Sequence, residues 1–205
     1  MLFDDTYREI TRKSIGLYKE KNSKFVSYAF HVNSEEEIKK HISNIKYIEK
    51  GASHYCYAYV LYNDRSNWKV SDDGEPRSTG GKPILGQINK HKLTNIIIIV
   101  VRYYGGIKLG ITGLIRSYKS AALDAINNNQ IISKKIQDQY EISFQYEHIN
   151  KMISLVKNNK ANIIEKKINT NDCKILFEVN RVQSEKIFNI FKKENKLEIK
   201  YLKTI

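Results

Sequence analysis

The sequence predicts an α+β protein of two domains, residues 1–130 and 131–205. Three observations carry that reading. Ile96 to Val101 is an uninterrupted apolar, β-branched run, the pattern of a strand buried on both faces. After a glycine-rich stretch, Ile111, Leu114, Ile115, Tyr118, Ala122 and Ile126 recur at helical spacing, as on one packed stripe. Past Asn127-Asn128-Asn129 the periodicities follow the order βαββαβ, the ferredoxin-like arrangement.

Taken in order, residues 14–20 and 24–32 form a predicted hairpin around Lys21-Asn22-Ser23. Ser34 opens a helix as its cap, with Glu37 three residues on as the reciprocal partner of a capping box, and Ile38, His41, Ile42 and Ile45 as the buried stripe. In the strand that follows Gly51, Cys56, Ala58 and Val60 alternate with Tyr55, Tyr57, Tyr59 and Leu61. Asn63 to Asn67 turns the chain into a short return strand through Trp68 and Val70. Ser71 to Leu85 is a loop rich in Asp, Gly, Ser and Pro, and a short helix from Pro83 to His91 leads into the central strand. The second domain reads as a strand (Tyr140, Ile142, Phe144), a helix (Ile149, Met152, Ile153, Val156) and two strands, 163–168 and 174–179, split by a turn at Asn169 to Asp172. A helix with Ile187, Phe188 and Phe191 and a strand with Leu197, Ile199 and Tyr201 complete it.

Composition narrows the function classes. The 205 residues carry 35 Lys+Arg against 22 Asp+Glu, a net charge of +13, and 41% are hydrophobic, enough for a sizeable core. Residues 1–131 hold 20 basic and 13 acidic side chains and residues 132–205 hold 15 and 9, so both parts are basic without a one-sign tail. Such a balance favours polyanionic partners. A blander source stands beside it, since Lys, Ile and Asn are heavily used throughout, as translation of an AT-rich genome produces. Cys56 and Cys173 lie far apart in sequence and give no thiolate zinc spacing. No signal-peptide profile or membrane-length apolar run is present, so a cytoplasmic protein is expected.

Two loops hold the candidate site residues. Ser71-Asp72-Asp73-Gly74-Glu75 places three carboxylates in four positions, open to three readings: a hard-cation site, an acid–base pair, or a tight Asp-Gly turn with the other carboxylates solvated or capping backbone. The turn is favoured, and no metal or cofactor is expected. Arg102, Gly105, Gly106, Lys108, Gly110, Thr112 and Gly113 link the central strand to the long helix. A glycine loop that feeds a helix N-terminus, with cations added, is a plausible anion seat. His54, at a strand start, reads as a structural histidine first and a secondary site candidate after that.

Ser71-Asp72-Asp73-Gly74-Glu75-Pro76 with Thr79, Gly81 and Pro83, then Val101-Arg102-Tyr103-Tyr104-Gly105-Gly106-Ile107-Lys108-Leu109-Gly110 and Gly113-Leu114, resemble the signature of the IMPACT (YigZ-like) family. Lys24-Phe25, the start of the Ser34 helix and His54…Cys56-Tyr57-Ala58 fit the same pattern, so specific motifs span roughly residues 14–128. Two departures stand out: Arg77-Ser78-Thr79-Gly80-Gly81 where Ser-Gly-Thr-Ala-Gly is common, and Thr112-Gly113-Leu114 where Gly-Gly-Leu is common. The resemblance implies an N-terminal domain like domain IV of elongation factor G and one domain of a small-subunit ribosomal protein. It implies a ferredoxin-like C-terminal domain like domain V of that factor. Eukaryotic members regulate translation through a starvation-responsive kinase and carry a further N-terminal interaction domain, so kinase regulation is not expected of this chain.

Two functions follow as expectations. The first is a non-catalytic, translation-associated binding protein that contacts RNA or the ribosome, with a protein of the translation machinery as a further partner. Neither membrane binding nor DNA-specific readout is expected. Its contact surface would include the loop residues above, Tyr103 and Arg116, and exposed tyrosines would add stacking. The alternative is an enzyme or sensor for a small phosphorylated or carboxylate ligand held between the Ser71–Glu75 loop and the Gly105–Gly113 loop. Against this alternative stands an ion pair between Asp73 or Glu75 and Arg102 or Lys108, which would make the motifs determinants of fold.

Overall fold

The β-branched run lies inside a strand, Ile96–Tyr103, at the centre of a five-stranded antiparallel sheet. The computed structural model describes residues 5–169, 172–194 and 196–205. Its strands are β1 (Thr6–Ile10), β2 (Ser14–Glu20), β3 (Ser23–His31), β4 (His54–Leu61), β5 (Asn67–Ser71), β6 (Ile96–Tyr103), β7 (Ile131–Lys135), β8 (Gln137–Phe144), β9 (Asn162–Ile168), β10 (Cys173–Asn180) and β11 (Leu197–Thr204). Its α-helices are α1 (Glu35–Ile48), α2 (Gly81–Lys90), α3 (Gly110–Asn127), α4 (Ile149–Asn158) and α5 (Arg181–Lys192). The chain is α+β and divides into two compact units, residues 7–134 and residues 135–205 with residues 5–6.

In the first unit the strand order is β2-β3-β6-β4-β5. Alternation sets the two faces. Ile96, Ile98 and Val100 pack with Cys56, Ala58 and Val60 against α2 and α3, while Ile97, Ile99 and Val101 pack with Tyr59 and Leu61 against α1. Every one of these six β6 side chains is buried, because helices cover both faces. Lys21 and Asn22 join β2 to β3 with φ of 43° and 63°, a two-residue turn of left-handed residues whose twist suits a hairpin.

At α1, Ser34 Oγ accepts from Glu37 N at 3.2 Å. Glu37 reaches back one residue further than a capping box requires: its Oε2 accepts from Asn33 N at 2.8 Å. Helix α2 begins at Gly81, two residues ahead of Pro83.

The stripe of α3 differs from its sequence reading. Leu114, Tyr118, Ala121, Ala122, Ala125 and Ile126 face the core, whereas Ile111 is 64% exposed and Ile115 is 38% exposed. Small residues draw the helix onto the sheet. Ser27 Oγ donates to Ala121 O at 2.6 Å and Ser14 Oγ to Ala125 O at 2.7 Å. A Cβ at Gly16 would stand 2.3 Å from Ala125 N, so only glycine permits this approach. The free edge of β2 is occupied by side chains of α3 and its C-cap: Asp124 Oδ2 accepts from Leu17 N at 2.8 Å, and Asn128 Nδ2 donates to Ile15 O at 2.9 Å.

A pairing of β1 with β7 completes this unit and was not anticipated by periodicity. Its Glu9 is buried, taking Asn95 Nδ2 at 2.6 Å, Lys134 Nζ at 2.6 Å and His31 Nε2 at 3.3 Å.

The second unit has the antiparallel order β11-β8-β10-β9 with α4 and α5 packed on one face. That order and the sequence β8-α4-β9-β10-α5-β11 are ferredoxin-like. Tyr140, Ile142 and Phe144 join Ile175, Phe177 and Val179 in its core. The alternate residues of β8 and β10 include Glu141 and Lys174, which pair at 3.3 Å, and carry no aromatic side chain. Of the turn expected at 169–172, Thr170 and Asn171 lie outside the described residues.

Candidate functional site

Three strands place Phe25, Arg102 and His54 side by side, because Arg102 is in register with both neighbours. Parity along β6 turns Arg102 toward the α2–α3 face and Tyr103 toward the α1 face. Arg102 is 6% exposed, with its guanidinium 5.6 Å from the Phe25 ring centre and 5.3 Å from that of Tyr104. Glu75 enters from the acidic loop above this row. Its Oε1 accepts from Arg102 Nη1 at 2.6 Å and from the Tyr118 hydroxyl at 2.9 Å. His54 Nε2 stands 3.9 Å from the same oxygen.

The remaining acidic side chains of the loop fix its backbone. Asp72 to Glu75 is a turn closed by Glu75 N donating to Asp72 O at 2.9 Å, with φ of 43° at Asp73 and 89° at Gly74. Asp72 accepts from three backbone N–H groups, Ser78 at 2.8 Å, Gly80 at 3.0 Å and Gly81 at 2.8 Å. Asp73 accepts from Tyr55 N at 2.9 Å and Lys46 Nζ at 3.1 Å. Ser71 ends β5, and the hydroxyl of buried Thr79 donates to Pro76 O at 2.6 Å. The three carboxylates therefore diverge onto separate partners.

His54 Nδ1 lies 2.9 Å from the carbonyl oxygen of Asp73, which can only accept, so Nδ1 carries a proton. Burial pushes the Cys56 thiol up from its ordinary range, and it donates to Asp72 O at 3.0 Å. Burial likewise pushes the Tyr118 phenol up, so it is a donor to Glu75 at any physiological pH.

The acidic loop and the glycine loop meet. A cleft of about 510 Å³ is lined by His54, Glu75 and Arg102 together with Lys108, Gly110 and the apolar side chains of Tyr104, Leu109, Ile111 and Leu114. Helix α3 opens onto it with no side-chain cap and no acidic residue in its first turn. Thr112 and Gly113 belong to that turn but do not line the cleft, and Gly106 is an exposed loop residue at φ 83°.

Other candidates fall outside the cleft. Tyr103 donates to Glu49, as does Tyr28, and that hydrogen bond, ahead of burial, pushes its phenol up to about 12. Arg116 pairs with Glu20 at the hairpin end. Gly105 holds the glycine loop against that end: its N–H donates to Ser23 Oγ at 3.2 Å, and a Cβ there would meet Asn22 C at 2.2 Å. Exposed Lys19, Lys21, Lys24, Lys108, Arg116 and Lys119 are thereby carried by the hairpin end, the glycine loop and the first half of α3. Sequence reasoning placed Tyr118 in the core stripe and missed its hydroxyl; a phenol inside an aliphatic stripe needs a partner, and that was the available signal.

Residues 21–126, more than half of the chain, match the family model of the Impact N-terminal domain. The chain is 35% identical over 130 residues to the IMPACT family member YvyE of Bacillus subtilis, a match over 63% of this chain and 60% of that protein. It is 32% identical over 131 residues to the IMPACT family member YigZ of Escherichia coli, over 63% of this chain and 64% of that protein. These matches span about three-fifths of each relative's length. A crystal structure of a hypothetical protein shares the fold at a TM-score of 0.71 and 23% identity, covering 97% of this chain and 98% of the other. On the family match and these relatives, the chain belongs to the IMPACT family.

Proposed function

We propose that this protein is a non-catalytic, translation-associated binding protein that contacts RNA or the ribosome through the cationic end of its first unit. The carrying observation is the placement of Lys19, Lys21 and Lys24 on the hairpin that Gly105 ties to the glycine loop, with Lys108, Arg116 and Lys119 following on that loop and α3. A cluster of long cationic side chains fits a phosphate backbone in a sequence-independent way. Exposed Tyr104 adds a ring beside it for stacking on an unpaired base. Family membership supports the link to translation that the sequence resemblance implies, and a cytoplasmic site of action goes with it. In this reading residues 1–130 make the contact and residues 131–205 are accessory, since the exposed sides of β8 and β10 mix both charges and lack aromatic residues.

The absence of catalysis in this proposal rests on where the carboxylates go. Glu75 is engaged by Arg102 and Tyr118, and Asp72 and Asp73 by backbone N–H groups, which leaves these groups in structural roles. Co-sedimentation of the full chain with ribosomes and separated subunits tests the proposal. Saturable binding to one subunit that weakens as salt rises is expected. No pelleting with any particle at low salt would refute it.

A further inference from the structure

The cleft between the two loops has a chemistry of its own, although Lys108 and Tyr104 at its rim also belong to the surface proposed for nucleic-acid contact. Its volume, about 510 Å³, falls within the roughly 300–1,000 Å³ typical of small-ligand sites. Two kinds of surface line it. Leu109, Ile111 and Leu114 with Tyr104 are apolar, and two of them stand open to water, Ile111 at 64% and Tyr104 at 49% exposure. Arg102, Lys108 and the first turn of α3 are positive.

The charges do not cancel. Glu75 is neutralised by Arg102 at 2.6 Å, while Arg102 Nε, also buried, has no hydrogen-bond partner among the described residues. Lys108 makes no ion pair or hydrogen bond among the described residues. The 18-residue α3 presents its first N–H groups at Gly110 and Ile111 without a capping side chain. One full positive charge and the partial charge of a helix end, about half a unit, are therefore left over. That surplus covers a single negative charge and falls short of two. A dianion would bring its second charge up against Glu75 in a partly apolar cleft, where the mismatch is costly.

We propose that the cleft binds an apolar group that ends in a carboxylate. The carboxylate meets the Gly110 and Ile111 N–H groups and the Lys108 ammonium, and the apolar group covers Leu109, Ile111 and Leu114. A small branched-chain acid and the C-terminal residue of a polypeptide share this chemistry. Binding requires no ribosome, so this proposal stands or falls separately from the RNA contact.

The test is titration of the full chain, followed by NMR amide shifts and thermal unfolding, with N-acetyl-L-leucine, N-acetyl-L-leucinamide and inorganic phosphate at matched ionic strength. The free acid is expected to bind saturably and raise the melting temperature, and the amide and phosphate are not. Lys108→Ala should weaken the acid by about tenfold, the size of one charge-assisted hydrogen bond. Lys69→Ala, an exposed change on β5, should leave binding as it is. A pentapeptide ending in leucine separates the sources: binding about tenfold tighter than N-acetyl-L-leucine, and lost on amidation, assigns a polypeptide terminus, while equal affinity assigns a small acid. Absence of saturable binding, equal binding of acid and amide, phosphate binding as tightly as the acid, or wild-type affinity in Lys108→Ala would each overturn the proposal.

Discussion

Glu75 and Arg102 neutralise one another at 2.6 Å, both nearly closed off from water. Removing one partner strands the other charge, at a cost of about 3–5 kcal/mol. Glu75→Ala should therefore lower unfolding stability by that amount in urea titrations, and Glu75→Leu combined with Arg102→Met should recover much of it. A single-variant loss below about 1 kcal/mol would mean that the pair is solvated. Glu9 yields a pH prediction. Burial raises its pKa, but the hydrogen bonds from His31, Lys134 and Asn95 outweigh burial and bring it down to about 2 from 4.5. A carboxylate lowered in the folded state adds stability above its unfolded pKa and loses it as pH falls through the folded one. The Glu9 contribution should be complete above about pH 4.5 and gone near pH 2. Glu9→Gln should flatten the stability profile across that window, and an unchanged acid limb would contradict the assignment. Sequence named the ion-pair possibility at Glu75 and gave no hint of Glu9, because a charged residue in a short strand normally points to solvent.

Among the elements, α3 is held where glycine and serine let it approach the sheet. Gly16→Ala forces a methyl to within 2.3 Å of Ala125 N, and backbone cannot yield as a side chain tip does. A loss of about 1–3 kcal/mol or more is expected from thermal or urea unfolding; a neutral variant would show that α3 can lift from β2 freely. Strand β6 was legible because an uninterrupted β-branched run marks a strand that helices cover on both faces, and β3 and β4 were legible from residues that alternate along them. The α3 stripe was misjudged at Ile111 and Ile115 because apolar spacing cannot show which side of a helix a three-alanine face will occupy. Ala121, Ala122 and Ala125 carry little hydropathy and yet make the closest contact. The pairing of β1 with β7 was invisible because neither strand alternates cleanly.

Across the whole molecule, the α+β class and the ferredoxin-like order followed from the period of hydrophobicity alone. The convergence of two distant loops on one cleft did not, since it depends on β6 lying between β3 and β4 so that Arg102 meets His54. Net charge pointed to a polyanion without saying where it would bind, and among the exposed cations Lys19, Lys21, Lys24, Lys108, Arg116 and Lys119 are those carried by the hairpin end, the glycine loop and the first half of α3. The most direct measurement is the slope of log affinity against log salt for ribosome binding, comparing the wild-type chain with Lys19→Glu/Lys21→Glu/Lys24→Glu. Loss of three phosphate contacts should make the slope shallower by about 2, at roughly 0.7 per contact on single-stranded RNA, with unfolding stability unchanged. An unchanged slope and affinity in that variant would contradict contact through this surface.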